Sequence, residues 1–334
     1  MNRVGFEEYL EGRDQPKNEI DHSIEIVTRY ETFLKERDAQ TSLENSTSDD
    51  IQNFSVLMIE SELNTYERYL ALARYGLFCG NDAMYLGVLD LLDGAEALDN
   101  LYTKVAQEVG VEKRDQIFSG LQRIPLGTPN SEKPAVMQAA LERLEAWVDS
   151  ETSVRILGSG LRDLEDEWYL EERNKYRVCQ NIDEYLDQKG RDFISQLEDI
   201  KDSGKLFFNQ KITEDVIEFV ARVPEIRQGV REGDILYEIK IPHMANEYLA
   251  EIDEMKKRYY YCHCPWVKES LRSGISDVPA RFCNCSAAFH KKPWEVIFEQ
   301  PLEAEIIESV LQGDLWCKIA IHLPKEVLEY DQGN

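Results

Sequence analysis

The spacing of apolar residues changes along this chain, and the change decides which folds are open to it. From Ile51, the residues Phe54, Leu57, Met58, Leu63, Tyr66, Tyr69, Leu70 and Leu72 recur largely at separations of three and four, which gathers side chains on one face of a helix. After Phe208 the period shortens. In ILYEIKIP, Ile235, Tyr237, Ile239 and Ile241 alternate, and in LWCKIAIHLP, Cys317, Ile319, Ile321 and Leu323 alternate with Trp316, Lys318, Ala320 and His322. A two-residue period is that of a strand with one face covered. The chain therefore reads as α+β: an N-terminal antiparallel helical domain followed by a helix-plus-antiparallel-sheet domain.

At 334 residues the chain exceeds what one growing core usually holds. Residues 1–50 read as a polar segment with one helix, His22 to Arg37, and a linker, QTSLENSTSDD. Residues 51–154 read as the helical domain, with further helices over Ala83–Leu92 and Ala95–Val109. Pro125, Gly127 and Pro129 then enforce an extended loop, Ser131 is placed to cap, and Pro134 suits a first helical turn that needs no amide donor. Met137, Leu141, Leu144 and Val148 mark the buried face of that helix.

Residues 155–325 read as the α+β domain and 326–334 as a polar tail. After ILGSGL, the acidic run Arg162 to Leu197 is one long helix or two with a break near Gln188-Lys189-Gly190. ITEDVIEFVARV is a helix capped by Thr213, and MANEYLAEIDEMKKR is helical again. KRYYYCHC and RFCNCSAAF read as strands, and LEAEIIESVLQG carries both signals.

The net charge of −26 is unevenly placed, since Cys262 to His322 holds 6 basic and 8 acidic residues and the remainder carries −24. Such a surface has no basic face for the phosphates of a nucleic acid and none for an anionic membrane. The first residues lack the charged start, apolar run and cleavage site of a secretory leader, and no stretch reaches 18 apolar residues, so the expected location is cytoplasmic. There the seven cysteines are expected as thiols or metal ligands instead of disulfides.

Five of those cysteines, and three of the five histidines, follow residue 261. On two strands, Cys262 would share a face with Cys264 and Cys283 with Cys285, and four converging sulfurs favour zinc, with an iron–sulfur centre second. The C-x-C spacing is a tighter bite than the C-x₂₋₄-C of most structural zinc sites. The other chemical reading is nucleophilic. Cys285 lies near His290, Lys291 and Lys292, so His263, His290 or His322 could act as base and Lys291 could offset developing negative charge. Tyr261, Trp266, Phe289, Trp294 and Cys317 could line a ligand pocket, or simply pack a core. Cys79 and Cys179 stand alone and read as packing residues. GxxxxGK[ST], GxGxxG and HExxH are absent.

The closing portion also carries a resemblance. Phe282 to Ser286, Lys291 to Glu295, the acidic strand before Ser309, Gly313-Asp314, and Cys317 with its following strand to Pro324 resemble the C-terminal region of the group that includes 4-vinyl reductase-type small-molecule-binding domains and L-2-amino-thiazoline-4-carboxylate hydrolase-like proteins. The whole chain, with LGTPNSEKPAV and YYYCHCPWVKE, is similar to a family of firmicute proteins. The resemblance implies an α+β domain, often dimeric, that holds a small hydrophobic or heterocyclic molecule. The expected activity is thiol- or metal-assisted hydrolysis of a small heterocyclic or amide-like substrate; the alternative is a non-enzymatic small-molecule sensor.

Overall fold

The computed structural model describes residues 1–273, 278–325 and 327, so most of the tail expected over 326–334 lies outside the described residues. The chain divides into two compact units, one of residues 1–95 and 122–136, the other of residues 96–121 and 137–334.

The first unit is helical: α1 (Arg3–Glu11), α2 (Lys17–Arg37), α3 (Ser48–Glu60), α4 (Tyr66–Cys79) and α5 (Asp82–Leu92). Its ends are capped by local chemistry. Thr47 and Asp50 form a reciprocal capping box at α3, Gly80 closes α4 at φ 75°, and the Asn81 side chain accepts from the Met84 amide to begin α5. Phe6, Leu10, Tyr30, Phe54, Tyr69, Tyr75, Met84 and Val88 fill the core. The extended loop expected around Gly127 is present. Its carbonyls are held from the core side, with Ser55 Oγ donating to Gly127 O at 2.6 Å and Asn64 Nδ2 to Leu126 O at 3.1 Å.

The second unit contains α6 (Ala97–Val109), α7 (Val111–Ile117), most of α8 (Lys133–Glu145), α9 (Ser150–Gly158), α10 (Leu170–Val178), α11 (Ile182–Ser203), α12 (Glu214–Arg222), α13 (Pro224–Arg227), α14 (Ala245–Ala250), α15 (Glu254–Tyr261) and α16 (Asn284–Phe298). Strands β1 (Leu206–Phe207) and β2 (Gln210–Lys211) form a small hairpin. The main sheet is antiparallel, in the order β3 (Val230–Glu232), β4 (Ile235–Ile239), β6 (Lys318–His322), β5 (Ala304–Glu308). This is the α+β arrangement that the change of period predicts. Leu236, Ile319 and Ile321 from the sheet pack with Ala287, Trp294 and Ile297 of α16, joined by Ile182, Tyr185 and Leu186 of α11.

Three local expectations are corrected. The acidic run breaks at Cys179–Asn181, ahead of Gly190, because Asn181 caps α11 by accepting from the Glu184 amide at 2.9 Å. Gly190 lies inside α11, where an added Cβ would overlap the Gln228 side chain. The segment before Cys262 is helix α15, started by Asp253 accepting from the Lys256 amide. The segment holding Cys283 and Cys285 is a 3₁₀ turn, Ala280–Cys283, followed by α16. Its buried residues Ala287, His290, Trp294 and Ile297 step by three and four, a helical rhythm that continues through Pro293.

Candidate functional site

Two polar clusters lie beneath the main sheet, on the face that meets α16. Alternation along β4 turns Leu236 and Glu238 toward the helix, and Lys240 follows them one step beyond the strand. The β4–β6 pairing sets Glu238 opposite Ile319 and ends with Ile239 opposite Lys318, and Lys240 and Cys317 are the next residues beyond it. A charged pair is thus threaded into an otherwise apolar layer.

Glu238, 8% exposed, is satisfied from three sides. Lys189 Nζ of α11 and Trp294 Nε1 of α16 donate to its Oε1 at 2.8 and 3.1 Å, and His290 Nδ1 meets its Oε2 at 2.9 Å. Burial pushes this carboxyl up, but the Lys189 ammonium and the His290 hydrogen bond together outweigh it and hold it at about 2. An ionised carboxylate only accepts, so His290 carries its proton on Nδ1 and leaves a lone pair on Nε2. That nitrogen is buried without a hydrogen-bond partner. Burial also lowers the His290 imidazole, with the Glu238 hydrogen bond opposing it, which favours the neutral ring.

The second cluster is built on a tight turn between β5 and β6. Ser309 is fully buried; its amide donates to Asp314 Oδ2 at 2.8 Å and its Oγ accepts from the Leu311 amide at 3.2 Å. Gly313, at φ 104°, lets the chain close there. The turn aims Ser309 Oγ at the Cys283 sulfur, 3.4 Å away, and within hydrogen-bond reach of Cys317. Cys283 and Cys317 act on each other's titration, and the Val310 amide and Ser309 favour the ionised form of Cys317.

These contacts separate the thiols chemically. Cys283 lowers Cys317 despite its burial, with help from the Val310 amide, Lys240 and Ser309. The same interaction and burial push Cys283 well up. Burial drives Cys262 far up and Cys285 up to about 12, in the latter case against the pull of Lys240 and Arg162. Lys240 itself is lowered by burial, with Cys285 and Cys317 opposing, and its Nζ stands 4.3 Å over the Phe289 ring. Of these thiols, Cys317 is the one most readily ionised; Cys285, to which the sequence assigns the nucleophile, is not.

The remaining expected site residues are dispersed. His263 Nε2 donates to Ile241 O at 2.7 Å, and its ring stands 5.1 Å from that of His243. Lys291 donates to Leu302 O at 2.8 Å and pairs with Glu295 at 3.1 Å, fastening α16 to the approach of β5. His322, at the end of the inner strand β6, stands 3.5 Å from Glu305 of β5. Trp266 and Trp294 are each 1% exposed and pack as core, while buried Tyr261 donates its hydroxyl to Cys317 O at 3.1 Å. Two clefts lie elsewhere, one of about 420 Å³ between α10 and α16 and one of about 230 Å³ in the helical unit.

For a metal, no three His, Cys, Asp or Glu side chains gather in a metal-holding group among the described residues, although Cys262, Cys264, Cys283, Cys285 and Cys317 act on one another's titration. Cys285 faces the positive charges of Lys240 and Arg162, and Cys283 is engaged with Cys317 and Ser309. Glu238, Lys189, Lys240 and Ser309 were not legible as site residues, because no spacing in the sequence links α11, β4 and the 309–314 turn. No protein family, curated protein or solved structure gives a match to this chain. None of the described helices is long and apolar enough to cross a membrane.

Proposed function

We propose that this chain is a thiol-dependent hydrolase of small heterocyclic or amide-like molecules, with Cys317 as its nucleophile. The observation that supports the reading is the lowering of the Cys317 thiol by Cys283, the Val310 amide, Lys240 and Ser309, beside the geometric contact of Ser309 Oγ with Cys283 at 3.4 Å. Such surroundings stabilise a thiolate, the reactive form of cysteine. The sulfur adds to the carbonyl carbon, the nitrogen leaves after taking a proton, and water then cleaves the thioester to release acid and thiol. Lys240 is placed to offset negative charge developing on the attacked group. The Glu238–His290 pair supplies an oriented base whose open Nε2 receives the proton of the water.

The test uses p-nitrophenyl acetate as a small activated acyl donor. A burst of nitrophenol with an acetyl adduct on Cys317, lost in Cys317→Ala and retained in Cys285→Ala, supports the reading. An adduct on another thiol, or none, removes it and leaves the ligand sensor as the better account.

A further inference from the structure

The cleft of about 420 Å³ between α10 and α16 uses none of the residues of the two clusters beneath the sheet, and it is lined by charge: Asp166 and Arg173 with Lys292, Glu295 and Glu299, beside the apolar Val296. Its volume is that of a small-molecule site. Helical spacing builds it, since Arg173 and Arg177 are one turn apart on α10 while Lys292, Glu295, Val296 and Glu299 follow one another at three and four along α16 and its cap. Lys292 pairs with Asp166, Lys291 with Glu295, and Arg173 and Arg177 both with Glu299. Four cations thus share three carboxylates, a local positive excess in a chain of net charge −26.

One arginine is left with donors to spare. Arg173 gives Nη1 to Glu299 at 3.1 Å, whereas its Nε is buried with no hydrogen-bond partner and its Nη2 has none among the described residues. A buried unpaired N–H is costly, and the Nε–Nη2 edge is the one a carboxylate takes with two parallel bonds.

We propose that this cleft binds a small carboxylate-bearing molecule, whose carboxylate takes the Nε–Nη2 edge of Arg173 with the Lys292 ammonium beside it. The guanidinium is held at Nη1 alone, by a Glu299 that is 54% exposed, so turning about that contact brings its covered edge into the cleft. Asp166, 64% exposed, loses little when Lys292 turns to the ligand, because water takes the place of the ammonium. A single negative charge neutralises the local excess; a phosphate dianion would overshoot it beside Glu295 and Glu299. The inference uses no thiol, so it and the hydrolytic reading can fail separately.

The full-length protein is mixed with benzoate or with benzamide, a neutral molecule of the same shape, and binding is read by saturation-transfer NMR at neutral pH. Benzoate is expected to receive saturation and benzamide little. In Arg173→Gln, confirmed folded by circular dichroism, benzoate affinity should fall about tenfold, a loss of one good charge-assisted contact. Arg173→Lys keeps the charge without the planar edge and should also weaken binding, which keeps the test open if the glutamine variant does not fold. Arg222→Gln, at an exposed arginine paired with Glu218 on α12, should bind as the natural chain does, and so should Cys317→Ala. Equal saturation by benzoate and benzamide, an equal loss in Arg222→Gln, unchanged binding in either Arg173 variant, or displacement of benzoate by inorganic phosphate at equal concentration overturns the proposal.

Discussion

Glu238 on β4 and His290 on α16 are joined at 2.9 Å beneath the sheet, and the same carboxylate takes Lys189 from α11 and Trp294 from α16. Three elements therefore depend on one acceptor. Replacing Glu238 with Ala leaves a mostly buried ammonium, an indole N–H and an imidazole N–H without it, a loss of ~3–5 kcal/mol by the usual cost of breaking a buried pair. Glu238→Gln keeps one oxygen for Lys189 and Trp294 and loses less, ~1–3 kcal/mol. Denaturant unfolding of the two variants checks the order; equal losses would mean that the carboxylate's charge, not its packing or its acceptor oxygen, holds the site.

Stability is expected to fall with pH on the acid side. His243, His263 and His290 are each lowered below the ordinary histidine value, chiefly by burial, and His243 reaches about 3. Between the unfolded and folded values, the unfolded chain binds a proton that the folded chain refuses. The stabilisation is thus present above ~6.5 and is lost as pH falls, by up to ~1.4 kcal/mol per pH unit for each histidine. Glu238 acts in the same direction at lower pH, its contribution present above the unfolded carboxylate value and lost toward about 2. Unfolding free energies measured from about pH 7 to about pH 5 should decline, and His243→Gln should flatten the slope. A level profile would place these rings in contact with water.

The sheet was legible because its strands keep a two-residue rhythm, and Cys317, Ile319, Ile321 and Leu323 occupy one buried face as that rhythm requires. The site was less so. On β4 the apolar set Ile235, Tyr237, Ile239 and Ile241 looks like the covered face, yet Leu236 and Glu238 face α16, and Ile239 and Ile241 are buried as well. A strand covered on both sides hides its charged face from alternation alone. The cysteine segments misled for a different reason. Tyrosines favour strands in isolation and Pro293 interrupts a helical reading, but Asp253 caps α15, and α16 is carried by the packing of Ala287, Trp294 and Ile297.

Gly127→Ala should destabilise the helical unit out of proportion to its size. The residue sits at φ 83°, and a Cβ there would overlap the Tyr69 hydroxyl and press on Ser55 Oγ. The backbone conformation alone costs ~1–3 kcal/mol for a residue with a side chain. Displacing the loop also breaks the Ser55 bond to Gly127 O and the Asn64 bond to Leu126 O. Thermal unfolding should show a lowered midpoint, while Gly120→Ala, with a comparable φ of 69° but open space around its Cβ, loses only the backbone share. Similar losses in the two variants would mean that crowding against Tyr69 contributes nothing.

Purified without added metal, the protein is expected to carry no stoichiometric zinc. A tetrahedral thiolate site requires four sulfurs, deprotonated and turned to one point. Here no three such ligands gather among the described residues, and beside Cys264 the Cys285 thiol feels Lys240 and Arg162, whose charges repel a divalent cation as much as they favour a thiolate. Burial also keeps Cys262 and Cys285 protonated, which a metal would have to overcome. Elemental analysis beside a native thiol titration decides the matter. Absent metal with Cys317 as the fastest-reacting thiol agrees with the geometry. Zinc bound one to one, and lost on replacing Cys262 or Cys283, would show that the thiols rearrange around a cation, and the nucleophile would have to be sought elsewhere.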